Sequence, residues 1–321
     1  MSHIQLSPEI LNQQAYQLLS EVGQPLMRTQ RLATTVVAGA IVWDFGVNVS
    51  GDQETGILLS QISAGGWLDV AVVENDTSAI SVQVASQHPV EACLGSQYAG
   101  WPLSTDHYFA MVSGPGRGLR GKEPLWRHFQ RLPVTSENLP TVLVLESDQL
   151  PDEDAIHEIA QQTGSTTQQL QLAVAPTHSV AGTLQIVARS METALHQWET
   201  QGGPLNVIQS GSGKARLPLT GKSSLESIGR TNDAIIFSGE VQLVVDGQTP
   251  GWDWGQLQQL AAKIPSQNSP SYGTPFLELF EDSGRDFYKL DPRLFSPAVF
   301  ELVNASTGEI ARFGSLANLP G

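Results

Sequence analysis

Hydrophobic positions along the chain switch between two periods. Short β-branched runs at Leu32–Val37, Ala40–Phe45, Trp67–Val73, Ala79–Val84, Tyr108–Val112 and Thr141–Glu146 read as strands. So do Leu170–Ala175, Ala234–Phe237, Val241–Val245, Val299–Val303 and Glu309–Phe313. Helices are predicted at Ser7–Val22, Gly51–Ala64, Pro89–Tyr98, Asp152–Gln162, Ser179–Trp198 and Trp254–Lys263. Ser7 is an N-cap for the first, with Pro8 and Glu9 in its opening turn. Hairpins are expected around Ala38-Gly39, Glu74-Asn75-Asp76 and Thr307-Gly308, and between Ala234–Phe237 and Val241–Val245. Thr141–Glu146, the Asp152–Gln162 helix and Leu170–Ala175 form a β-α-β pattern, whose natural solution is a parallel pair. The order predicts a mixed α/β (α+β) fold of two α/β domains with a substrate cleft between them. The boundary is expected near Gln130–Pro140, giving domains over 1–135 and 136–321, with the C-terminal segment free to return to the first domain.

One helix stands apart. From Leu172 to Leu195 the only formal charges are Arg189 and Glu192, with His178 counted neutral. Val180, Leu184, Val187, Met191, Leu195 and Trp198 fall on one helical face, and Gln185, Arg189, Glu192 and His196 on another. On a surface helix an Arg-x-x-Glu pair is an ordinary ion pair of a few tenths of a kcal/mol. In charge-free surroundings the pair is expected to be buried, and a buried pair is costly to keep. The guanidinium would hold the carboxylate ionised, and such a carboxylate can polarise a water or accept its proton.

Other candidates are weaker. Ser113-Gly114-Pro115-Gly116-Arg117-Gly118 ends a strand; it is either a tight turn or a set of backbone donors beside Arg117. Gly229-Arg230-Thr231-Asn232-Asp233 sits at an expected strand entrance, and Tyr272 and Lys289 are placed to line a cleft or to decorate the surface. Ser210-Gly211-Ser212-Gly213-Lys214 fails as a phosphate loop because Ala215 follows the lysine. The seven histidines form no short-spaced set, so no metal is expected.

Composition narrows the classes. The 321 residues are 40% hydrophobic and 15% charged, which suits a chain with a large core. A net charge of −15 argues against nucleic-acid binding. Cys93 alone gives no intrachain disulfide and fits a reducing compartment. With no apolar run long enough for a membrane helix and no signal-peptide pattern at the start, a soluble cytoplasmic protein is expected.

Together these segments resemble the methenyltetrahydromethanopterin cyclohydrolase family. The resemblance is carried by Asp44-Phe45-Gly46-Val47-Asn48, Leu94-Gly95-Ser96-Gln97-Tyr98-Ala99-Gly100-Trp101, Tyr108-Phe109-Ala110-Met111, Ser113 to Arg117, Ala175-Pro176-Thr177, Ala188 to His196, Gly229 to Ile235 and Asp286-Phe287-Tyr288-Lys289, in that order from about Asp44 to Phe313. It implies two α/β domains holding the pterin between them, and a homo-oligomer, specifically a trimer. It implies hydrolysis of the 5,10-methenyl bridge of tetrahydromethanopterin, or its dephospho form, to the 5-formyl product, with no permanently bound cofactor. Glu192 and Arg189 are then the catalytic pair. Arg117, Ser113, Gly114, Thr177, Gln185, Thr231, Asn232, Asp233, Tyr272 and Lys289 are candidate substrate contacts. His107 stands where relatives often carry Lys, and the Gly116-Arg117-Gly118-Leu119 loop is similar to the bacterial branch, which oxidises formaldehyde. The alternatives are a non-catalytic pterin-binding member, an unrelated acidic α/β scaffold with a structural Arg–Glu pair, and an enzyme for the folate version of the bridge.

Overall fold

In a computed structural model of the chain, which describes residues 6–74, 79–122, 125 and 139–319, the strands sort into two six-stranded sheets. They belong to two compact units, Met1–Leu68 with Glu91–Gln185 and Asp69–Val90 with Ile186–Gly321. Sorting does not follow sequence position about residue 135. The strands of the β-α-β pattern join the sheet begun by the first hairpin, and the second hairpin joins the sheet built from the C-terminal half. Residues 130–138 of the expected boundary, and Asn75 and Asp76 of the second hairpin turn, lie outside the described residues.

The first unit's sheet runs β1-β2-β8-β7-β6-β5. Its strands are β1 (Ala33–Val37), β2 (Ala40–Asp44), β5 (Trp101–Ser104), β6 (Phe109–Ser113), β7 (Thr141–Glu146) and β8 (Leu170–Ala175). β2, β8 and β7 are parallel; the flanking pairs are antiparallel. The predicted hairpin at Ala38-Gly39 is present, and both residues take positive φ, 48° and 92°. β8 is buried at every position, as a strand covered on both faces must be. On one face Ile156 and Ile159 of α4 (Glu153–Thr163) pack on Leu143, Leu145 and Leu172. On the other lie α1 (Pro8–Leu18), α3 (Gln53–Ser63) and α5 (Val180–Val187), with Leu58, Ile62 and Ala181 in the core. α1 starts at Ser7, whose hydroxyl accepts from Ile10 N. It runs through a wider turn, Leu19–Gly23, into α2 (Gln24–Arg28). Pro89–Tyr98 is likewise helical but wide, a π-type segment over Val90–Gln97.

The second unit's sheet runs β12-β11-β10-β9-β4-β3. Its strands are β3 (Asp69–Glu74), β4 (Ile80–Ser86), β9 (Ile208–Arg216), β10 (Glu240–Val245), β11 (Val299–Asn304) and β12 (Ile310–Gly314), all antiparallel except β10 with β11. Its helices are α6 (Ser190–Thr200), α7 (Ser224–Ser238), α8 (Trp254–Ala261) and α9 (Phe276–Asp282). Trp198 of α6 packs on Phe300 of β11, ring centroids 6.1 Å apart.

Two expectations are corrected. Ser179–Trp198 is not one helix: α5 ends at Val187 and α6 begins at Ser190, with Arg189 between them at φ −83°, ψ 5°. Ala234–Phe237 is not a strand but the last turn of α7. The β-branched Ile235-Ile236 suggested sheet, yet the helix nucleated by the Ser223 N-cap carries through them before Gly239.

Candidate active site

The start of α6 is shaped by the strand beneath it. β9 carries Gly211 and Gly213 on the face toward the helix. A Cβ on Gly213 would lie 2.6 Å from Ser190 Oγ and 3.2 Å from Met191 N; one on Gly211 would lie 2.7 Å from Met191 Sδ. The backbone of the helix start therefore sits on strand backbone, which only glycine permits. The segment that fails as a phosphate loop is this seat. The sequence reading missed that role; glycines in alternation along a strand were the available signal.

Arg189 is the residue before the helix and Glu192 lies in its first turn; they are 7% and 5% exposed. At the helix break Arg189 N donates to Ile186 O at 3.0 Å and Thr193 N donates to Arg189 O at 2.9 Å. His196 follows one turn later, and burial lowers its pKa, keeping it neutral. Glu192 and His196 lie on α6 and Arg189 just before it, while Gln185, fully buried, belongs to α5 and the other unit.

The remaining candidates of the second unit gather around α7 and α9. Thr231 is fully buried and its hydroxyl donates to Ser227 O at 2.8 Å; Asn232 Nδ2 donates to Ile228 O at 2.8 Å. Asp233 accepts from Phe276 N at 2.9 Å, capping α9, and burial pushes its pKa up to about 6. Tyr272 packs on Phe237 with centroids 5.1 Å apart. Lys289 Nζ lies 3.7 Å from Asp286 at the surface. These hydrogen bonds and packings are internal ones, so a substrate role for Thr231 in particular rests on the resemblance.

In the first unit Ser113 closes β6 and Gly114 turns away at φ 96°, where a Cβ would press on the β7 backbone, 3.1 Å from Val144 N. Arg117 is fully buried with its guanidinium 5.1 Å from the Tyr98 ring centre, a cation–π contact. Thr177 is buried in the turn after β8, its carbonyl accepting from Thr183 Oγ1 at 2.9 Å. Asp44, at the end of parallel β2, was quoted in the sequence only as part of a motif. Its carboxylate accepts from the N–H groups of Gly46, Val47 and Asn48 at 2.7–2.9 Å, fixing the loop beside the Pro176–Ser179 turn.

The second unit carries a buried arginine and a buried glutamate at one helix start, in a chain of mixed α/β class. The profile of the family described as cyclohydrolase (MCH) matches residues 10–319. The methenyltetrahydromethanopterin cyclohydrolase of Rhodopirellula baltica is 41% identical over 286 residues, 88% of this chain and 84% of that protein. The protein of the same name from Methylobacillus flagellatus is 37% identical over 93% of this chain and 90% of its own. That of Methanosarcina barkeri is 38% identical over 81% and 80%. The chain belongs to the cyclohydrolase (MCH) family, as its motifs suggested.

Proposed function

We propose that this chain hydrolyses the cationic 5,10-methenyl bridge of a tetrahydromethanopterin, or its dephospho form, to the 5-formyl product. The reading is supported by the name shared by its relatives. The observation that carries it is the burial of Arg189 and Glu192 at the start of one helix.

The methenyl carbon shares the positive charge of two nitrogens and is already electrophilic. Glu192 orients a water and takes one of its protons as the oxygen bonds to that carbon, leaving a neutral carbinolamine. The proton passes to N10, the C–N10 bond breaks with its electron pair on nitrogen, and the hydroxyl proton leaves to solvent. The formyl group stays on N5, and the reaction releases one proton. Arg189 keeps Glu192 anionic and oriented. Tyr272, Lys289, Asn232, Asp233 and Thr231 in the second unit, and Arg117, Ser113, Gly114, Thr177 and Gln185 in the first, are assigned to substrate contact, each tested by its own KM. We read the protein as a cytoplasmic homo-oligomer, a trimer, acting in one-carbon metabolism in the direction of formaldehyde oxidation.

The test is Glu192→Gln, near-isosteric and without the base. Followed by loss of the methenyl chromophore, its turnover falls by about 10²–10⁴, while the protein stays folded in a thermal melt. Hydrolysis at the parent rate refutes the assignment.

A further inference from the structure

The reaction proposed above releases one proton per turnover, and the carboxylate that handles protons in it is sealed. Glu192 is 5% exposed, so a proton left on it has little direct access to water. A carboxyl group that stays protonated blocks the next turnover, because only the anion can draw a proton from the attacking water. The site therefore needs a way out for that proton, and α6 itself offers one.

Residues four apart on a helix share a face, with about 5–6 Å between Cβ atoms. His196 stands in that relation to Glu192. This flank of α6 grades from buried to open: Glu192 is buried, His196 half-buried, and Thr200, four residues on, exposed. Glu199, partly exposed, places a further carboxylate at the open end. Of the residues from Thr193 to Trp198, only His196 takes up and gives back a proton near neutral pH. Burial lowers its pKa and keeps the ring neutral, and a neutral imidazole carries one basic nitrogen.

We propose that His196 is the proton relay of this site, taking from Glu192 the proton that each turnover leaves there and passing it to solvent. The proposal rests on the reading of Glu192 as the base. Once N10 holds the first proton, the C–N10 bond breaks with its electron pair on nitrogen. The electron pair of the carbinolamine O–H bond becomes the second bond of the formyl carbonyl, and the released proton goes to the Glu192 carboxylate. The basic nitrogen of His196 takes it, directly or across one water, and the imidazolium yields it to a water or a buffer base. Glu192 is again an anion, His196 again neutral, and one proton has left.

The test is His196→Gln, which keeps polarity and much of the volume but accepts no proton, with His196→Ala beside it. Initial rates of methenyl loss are measured at fixed pH and ionic strength, in dilute buffer and with imidazole added, after subtraction of uncatalysed hydrolysis. Thermal melts check that both variants fold. In dilute buffer kcat of each variant falls about tenfold with KM unchanged. That is less than the 10²–10⁴ of a direct base, because a relay acts one step from the reacting atoms. Added imidazole restores most of the loss and leaves the parent unaffected, which a merely structural role of His196 would not produce. Parent-like rates in dilute buffer, or a loss that imidazole does not repair, overturn the relay. Glu192→Gln in the same assay separates the two readings: if it is slow, the relay alone falls, and if it runs at the parent rate, the base assignment falls as well.

Discussion

Replacing Gly213 by Ala tests whether the strand beneath α6 sets the geometry of the proposed catalytic pair. The added methyl would sit 2.6 Å from Ser190 Oγ, 3.0 Å from Val84 Cγ2 and 3.2 Å from Met191 N. The hydroxyl can rotate away and Val84 can shift, but Met191 N is backbone in the first turn of the helix. Ordinary contact needs a few tenths of an ångström more there, so α6 must lift at its start, one residue before Glu192. Overpacking of this kind costs about 1–3 kcal/mol, less than would unfold a chain of this size. Catalysis is less tolerant: displacement of a reacting group by about 1 Å costs on the order of 10²-fold. A lift of a few tenths of an ångström should cost turnover roughly tenfold by the same scaling. Initial rates of methenyl loss, measured beside a thermal melt, separate the two effects. The expected signature is a modest drop in melting temperature with a clear loss of kcat. A variant that loses several degrees yet turns over at the parent rate would show that the helix start is not set by β9.

Two further outcomes follow from the geometry. Asp233→Asn keeps an oxygen for Phe276 N but removes a carboxyl whose folded pKa, about 6, lies above its ordinary 3.8. A raised carboxyl contributes stability present below 3.8 and lost as pH rises through 6. The full shift is worth about 3 kcal/mol for a sealed group and ~1 kcal/mol for one half exposed to solvent. The Asn variant should therefore melt higher than the parent at pH 7–8 and converge with it near pH 4; a variant less stable at pH 8 contradicts this. Gly46→Ala would place a methyl 2.4 Å from Ser179 Cβ at φ 147°, and should destabilise the first unit by about 2 kcal/mol or more. An unchanged denaturation midpoint would show that the loop after β2 can move.

What the sequence revealed was local. The Ala38-Gly39 hairpin, the doubly buried β8 and the helix beginning at the Asp152 N-cap each announce themselves within a few residues. The grouping of β3 and β4 with β9 to β12 does not, because it depends on partners over a hundred residues away. Ile235-Ile236 misled because β-branching is a weak preference that a capped, amphipathic helix overrides. At the site, Arg189 and Glu192 were legible as isolated charges in an apolar stretch. Gly211 and Gly213 were not, since their reason lies in the helix laid across them rather than in their neighbours along the chain.

The break between α5 and α6 has an electrostatic consequence. In one unbroken helix from Ser179 to Trp198, Glu192 would stand in the third or fourth turn, where the dipole contributes nothing. With the break at Arg189, the carboxylate stands in the first turn of α6, at its positive end. An anion there gains 0.3–1 kcal/mol when exposed and up to ~2 kcal/mol when partly buried. The desolvation of a buried carboxylate costs several kcal/mol. The helix start therefore offsets only part of the burial, and the mechanism proposed above assigns the rest to the guanidinium of Arg189. Sequence spacing alone sets Arg189 and Glu192 one turn apart; the glycines of β9 make that turn the first one.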